Sequence, residues 1–110
     1  MGDARLDVPQ GTLELMILTI LVREPLHGYG ITQRLTQLSG DRFQVNPGSL
    51  FPTLYRLEQD GHLKADWGPT ENNRRAKYYR LTAAGRRRLN AHRERYERVS
   101  MAVASVLEGA

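Results

Sequence analysis

The chain has 110 residues, of which 40% are hydrophobic and 25% charged, enough for one globular domain with a modest core. It holds no cysteine, which excludes disulfides, thiolate catalysis and cysteine-based zinc sites. The net charge of +4 is unevenly spread: residues 1–70 carry six basic against eight acidic side chains, whereas residues 71–98 carry ten against three. Such a local basic block is the electrostatic footprint of a nucleic-acid binder.

The first element starts at Gly11-Thr12, where Thr12 can cap, and is expected to run to about Arg23. Leu13, Met16, Ile17, Ile20 and Leu21 form one helical stripe, and Leu15, Leu18 and Val22 add a second apolar side. A helix apolar on nearly all sides points to burial beyond its own small domain, so Leu13, Ile17 and Ile20 are expected at a subunit interface. The run Leu15 to Val22 is too short to cross a membrane and no cleavage site follows it, so a cytoplasmic protein is expected. Glu24-Pro25 ends this helix, because the residue before proline avoids the helical region.

His27-Gly28-Tyr29-Gly30 turns the chain into a second helix, about Tyr29 to Leu38, with Ile31, Leu35 and Leu38 as its inner stripe. Ser39-Gly40-Asp41 stops it. After Phe43 and Val45 comes Asn46 to Gly61, a third helix with Leu50, Leu54 and Leu57 on its apolar side. Its opposite side carries Gly48, Ser49, Pro52, Tyr55, Arg56 and Gln59, flanked by Phe51 and Thr53, with no acid before Glu58. Asn46-Pro47 is a start signal, although Pro52 sits better in a helix capped by Ser49, and the residues alone do not choose. Two short helices joined in this way form a helix-turn-helix pattern.

Beyond Gly61, Leu63, Ala65 and Trp67 alternate with Lys64 and Asp66 up to Gly68-Pro69, and the run Lys77 to Leu81 returns. The expected β-hairpin has a basic, asparagine-bearing tip at Asn72, Asn73, Arg74 and Arg75, the wing of a winged helix. Arg74, Arg75 and Lys77 are expected on phosphates or in a minor groove. Trp67, Tyr78 and Tyr79 fit either base-stacking platforms or strand positions packed on the helices. Thr82 caps a last long helix, in which Leu89, His92, Tyr96, Val99, Val103 and Val106 recur at alternating spacings of three and four. This seam is expected either to pair with a second copy or to fold back on the first helix, and both are compatible.

His27, His62 and His92 stand at no metal-ligand spacing, and Glu24, Asp41, Glu58 and Asp60 are scattered. With no nucleophile set and no phosphate loop, neither an enzyme nor a cofactor is expected. The fold class expected is mainly α with a small β-hairpin (α+β): a winged helix-turn-helix over residues 1–81 and a dimerisation helix over residues 82–110, in one compact unit.

Three separated motifs, HGYG at residues 27–30, NPGSLFPTLYRLEQDGHL at 46–63 and RRAKYYRLTAAG at 74–85, resemble the PadR family of bacterial winged-helix transcriptional regulators in its short form with one C-terminal helix. The likeness covers residues 11 to 98. It implies a homodimeric repressor on a palindromic double-stranded operator, with the C-terminal helix packed against the partner's N-terminal region. It also implies a possible small aromatic effector near the dimer interface. Carried over by position, the DNA-facing residues are Tyr29, Ser49, Phe51, Pro52 and Thr53, with Arg74, Arg75 and Lys77 on the wing. The outer face adds Tyr55 and Arg56 as base readers, and the tip adds Asn73. Phe51 stands where the family has tyrosine, which leaves Tyr55 to supply a hydroxyl. The last helix lacks tryptophan, so His92 and Tyr96 are its candidates for aromatic ligand contacts. Rival readings are a winged helix that binds protein and a ligand-responsive sensor without strong DNA binding.

Overall fold

A computed structural model describes residues 5–9 and 11–109. Residues 1–4 and 10 of the expected 1–81 unit, and residue 110 of the expected final helix, lie outside the described residues. In chain order the elements are β1 (Leu6–Asp7), α1 (Leu13–Ile20), α2 (Gly28–Leu38), β2 (Phe43–Gln44), α3 (Pro47–Gln59), β3 (Leu63–Pro69), β4 (Arg75–Leu81) and α4 (Ala83–Gly109). The expected α+β class holds, with helices forming the body and β3 and β4 an antiparallel hairpin. Two elements were not expected, the two-residue strands β1 and β2, which pair in parallel. Their register rests on backbone pairing and on a Gln44 Nε2 to Asp7 Oδ1 hydrogen bond of 2.8 Å, neither of which has a periodic signal.

The core is made where α1 crosses the other helices. Ile17, Leu18, Ile31, Leu54 and Leu57 are wholly buried, and Leu50, Leu35, Leu63, Tyr79 and Leu89 close around them. The side of α1 that carries Leu13, Ile17, Leu18 and Ile20 is thus covered by its own chain, which corrects the expectation of a subunit interface for those residues, while Leu15, Met16 and Thr19 stay half-buried. Leu13, Ile17 and Ile20 of α1, and Leu89 of α4, lie inside this core and are not free to meet a partner. The physical reason is that α1 is packed by α2, α3 and α4 together, so a helix apolar on several sides is satisfied within one domain. Helix α1 also stops at Ile20, short of Arg23: Leu21 N–H still reaches Ile17 O, but Val22 N–H turns to Thr19 O, three residues back. That tighter turn leads to Leu26, which exchanges both backbone hydrogen bonds with Tyr79 and lays a third chain segment beside the hairpin. Leu38, expected in the inner stripe of α2, is exposed in the last turn.

One carboxylate sits inside this packing. Glu14 in α1 is 6% exposed, and its Oε1 accepts from Arg56 Nη1 of α3 at 3.0 Å while its Oε2 accepts from Arg88 Nε of α4 at 2.6 Å. Burial, the largest single influence, pushes the Glu14 carboxyl up, but the Arg88 and Arg56 hydrogen bonds and charges together outweigh it and hold the group below the ordinary glutamate range. The start of α4 is seated by shape: Thr82 Oγ1 donates to Gly61 O at 2.7 Å and accepts from Gly85 N–H at 2.9 Å. A Cβ on Gly85 would overlap the His62 carbonyl oxygen and crowd Leu81, so α4 approaches the turn after α3 as closely as glycine permits.

Two outcomes follow for stability. Gly85→Ala is expected to lower it by about 2 kcal/mol, roughly a 10 °C fall in Tm by circular dichroism, since backbone rather than a flexible side chain must yield. For Glu14, a folded pKa below the unfolded one means stabilisation that is complete above the ordinary value of about 4.3 and lost as pH falls through the folded value. Wild type should therefore exceed Glu14→Gln in Tm at neutral pH, and the gap should close in melts taken progressively below about pH 4.

Candidate nucleic-acid interface

Helix α3 begins at Pro47 with Asn46 as its cap, Asn46 Oδ1 accepting from Gly48 N–H at 2.8 Å, which decides between the two possible starts. Pro52 therefore lies inside the helix. Its ring leaves the Gly48 carbonyl without the usual partner four residues on, and Thr53 Oγ1 bonds back to Ser49 O at 2.8 Å. The stripe Leu50, Leu54 and Leu57 is buried as expected, so the other side faces outward: Ser49, Phe51, Pro52 and Tyr55 are exposed and Thr53 is half-buried. No acid occurs on α3 before Glu58, so this end of the helix offers small or aromatic side chains to whatever approaches it, while the N–H groups of Gly48, Ser49 and Leu50 are already engaged by Asn46.

Helix α2 sets the edge of that surface. His27 caps it, with Nδ1 accepting from Gly30 N–H at 3.0 Å, so the ring carries no proton on that nitrogen when it caps. The imidazole lies between Tyr29 and the edge of Tyr78, with ring centroids 6.4 and 5.2 Å away. A Cβ on Gly28 would stand 2.7 Å from the Phe51 ring, so glycine is what lets α3 lay Phe51 against the start of α2. Tyr29, 67% exposed, stands at the outer end of this aromatic row. The capping role of His27 was not legible, because a histidine cap has no spacing signature.

The expected hairpin forms, with Leu63 opposite Leu81 through Pro69 opposite Arg75. At its tip Asn73 takes a left-handed conformation (φ 60°), Thr70 N–H reaches Arg74 O at 2.6 Å, and Thr70 Oγ1 accepts from Arg74 N–H at 3.2 Å. Asn73, Arg74 and Arg75 are exposed there. Arg75 lies over the Trp67 ring, 6.0 Å from its centre. The three wing aromatics separate: Tyr79 is buried in the core, Tyr78 donates its hydroxyl to Pro69 O at 2.7 Å, and Trp67 is exposed on the hairpin.

Two expected cations are engaged inside the protein. Lys77 Nζ is 2.8 Å from Glu58 Oε1 of α3, and that hydrogen bond holds its ammonium above the ordinary lysine range. Arg56 remains half-exposed but one nitrogen is taken by Glu14. Lys77 thus braces the wing against α3, and Arg56 ties α3 to α1. The residue missed in the sequence is Glu14 itself; the available signal was a lone acid within an otherwise apolar helix.

Of the expected dimer residues, His92 is partly buried, 3.9 Å from Glu14 through Nε2, with Nδ1 buried and unpaired. Tyr96, Val99, Val103 and Val106 are about half-exposed or more along the free part of α4. Near the middle of that helix, Tyr96 borders an apolar groove that Leu15, Met16, Leu38 and Phe43 also line. Among the described residues no helix is long and apolar enough to cross a membrane.

Comparison with known proteins agrees with this geometry. Residues 17–91 match the transcriptional regulator PadR-like family. A transcriptional regulator of Mycobacterium tuberculosis, Rv3488, is 35% identical over 94 residues, covering 86% of this chain and 84% of that protein. The solved structure of a PadR family transcriptional regulator from Eggerthella lenta superposes with a TM-score of 0.79 at 30% identity, over 92% of this chain and 86% of that one. A PadR-like transcriptional regulator from Bacillus cereus gives a TM-score of 0.76 at 27% identity, over 92% and 96%. Fold, motif order and family match coincide over the same residues, and the chain belongs to the PadR-like family of transcriptional regulators.

Proposed function

We propose that this regulator is a homodimeric, sequence-specific binder of double-stranded DNA that represses transcription in the cytoplasm by occupying a palindromic operator. The observation that carries the proposal is the outer face of α3, with no acid before Glu58, flanked by the exposed guanidiniums of Arg74 and Arg75, which make no ion pair among the described residues. Helix α3 enters the major groove, with Ser49, Thr53, Tyr55 and Arg56 as base readers, while Tyr29, Phe51 and Pro52 form the close-fitting edge against the backbone. Asn73, Arg74 and Arg75 follow the flanking backbone or minor groove. Lys77, paired with Glu58, holds the wing at its angle to α3.

Dimerisation supplies the second half-site. Helix α4 has 27 residues and is about 40 Å long, and every residue from Arg93 to Glu108 is exposed. Tyr96, Val99, Val103 and Val106 keep a heptad spacing and are about half-exposed or more, which favours a second copy of the same helix across a two-fold axis. Two α3 helices about 34 Å apart would then meet successive major grooves.

Two measurements test this. Arg74→Ala combined with Arg75→Ala should weaken binding to all duplexes and flatten the plot of log Kd against log salt by about 1–2 units; an unchanged slope removes the wing from the interface. Val103→Glu should convert the dimer to a monomer at micromolar concentration in analytical ultracentrifugation, with little change in the melting of the domain because Val103 lies outside the core. A dimer that persists unchanged moves the two-fold contact away from α4.

A further inference from the structure

Among the described residues Glu14 is the one charged side chain that is buried. Taking a carboxylate out of water costs several kcal/mol, and an apolar residue of similar volume there is often at least as stable. What the carboxylate does beyond stability lies in its contacts. Oε1 accepts from Arg56 Nη1 at 3.0 Å and from Arg88 Nη2 at 3.4 Å, and Oε2 accepts from Arg88 Nε at 2.6 Å. One group therefore joins α1, α3 and α4.

Arg56 is held by one corner. Its Nη1 is committed to Glu14, whereas the side chain stays 50% exposed and its Nε and Nη2 have no hydrogen-bond partner among the described residues. Arg56 shares the flank of α3 with Thr53 and Ser49, one and two turns earlier, and the three line one surface cleft. Reading a guanine takes two adjacent donors aimed at O6 and N7. A guanidinium already anchored in direction loses less rotamer freedom on binding than a free one. A free arginine on this surface would swing to the nearest phosphate and add affinity for every sequence alike.

We propose that Glu14 is a positioning residue for base recognition: it clamps Arg56 so that the remaining Nε–Nη2 edge reads a guanine in the major groove, and through Arg88 it registers that edge to the helix that carries the second subunit. This rests on the DNA-binding reading above. The clamp makes part of the protein's discrimination a property of a residue that never touches DNA.

The experiment uses the full chain and an operator selected from random duplexes, with each base pair of a half-site changed in turn. Arg56→Ala locates the base pair concerned. Glu14→Gln, which removes the clamp's charge, should lose about tenfold of the discrimination at that same pair. It should also steepen the salt slope by about one unit, as the released guanidinium takes a phosphate. Equal weakening on all duplexes with the wild-type slope would mean that Glu14 only supports the fold, and the proposal fails. If Glu14→Gln does not fold, Arg56→Lys on the half-exposed position decides: it keeps the charge but cannot hold Glu14 and present a two-donor edge, so discrimination at that pair should fall while affinity at low salt is retained. Wild-type discrimination in Arg56→Lys, or uniform weakening in Arg56→Ala, overturns the proposal. A wild-type protein that retards no duplex at low salt refutes the DNA-binding reading itself, which is a separate result.

Discussion

Helix α3 has to satisfy two opposite demands, and the rest of the molecule answers to both. One side must be buried firmly enough to fix the helix, and the other must stay bare enough to enter a groove. The buried side is three leucines, Leu50, Leu54 and Leu57, each contributing roughly 2 kcal/mol by leaving water. They meet Ile17, Leu18 and Ile31, so α1 and α2 serve as the floor on which α3 rests. The bare side is kept clear by composition, with glycine, serine, proline and aromatics at the start and no carboxylate until Glu58. Gly28 extends the same principle, since only its missing side chain allows Phe51 to lie against α2.

Charge is arranged with similar economy. Most of the basic surplus lies after residue 70, but not all of those groups are free. Lys77 is spent on Glu58, Arg80 lies 3.7 Å from Asp66, and Arg88 is held by Glu14. At the wing tip Arg74 and Arg75, the latter in the last hairpin pair, are exposed and make no ion pair among the described residues. Exposed ion pairs such as Arg80 with Asp66 add little stability. The Glu14 cluster differs because a carboxylate inside the core, if stripped of its arginines, would be an uncompensated charge in a poor solvent. It makes the relative placement of three helices depend on a directional contact as well as on packing.

Helix α4 shows a division between folding and assembly along one element. Its first turns are seated through Thr82, Gly85 and Leu89, where the chain's own core needs them. Past His92 the same periodic seam continues, bordered at Tyr96 by α1 and α2 and exposed from Val99 onward. The alternatives left open by the heptad pattern, folding back on α1 or meeting a partner, are thus divided by position: the near end folds back, and the far end is the surface that remains.

The amino-acid sequence by itself determined the four helices and the hairpin, because these follow from local periodicity and turn chemistry. Leu50, Leu54 and Leu57 mark a face by spacing alone, and Gly68-Pro69 with the asparagines marks the reversal of the hairpin. The solvent-facing side of α3 was legible for the same reason, as the complement of that stripe. What only the tertiary structure decided depends on residues far apart in the chain. That Leu13, Ile17, Ile20 and Leu89 are core follows from how many helices pack on α1, which periodicity does not count. Glu14 meeting Arg56 and Arg88 spans separations of 42 and 74 residues, and no local pattern encodes a contact of that range. Cap chemistry fell between the two: Asn46 was signalled by the proline after it, whereas the His27 cap, whose ring lies beside Tyr29 and Tyr78, carried no such signal.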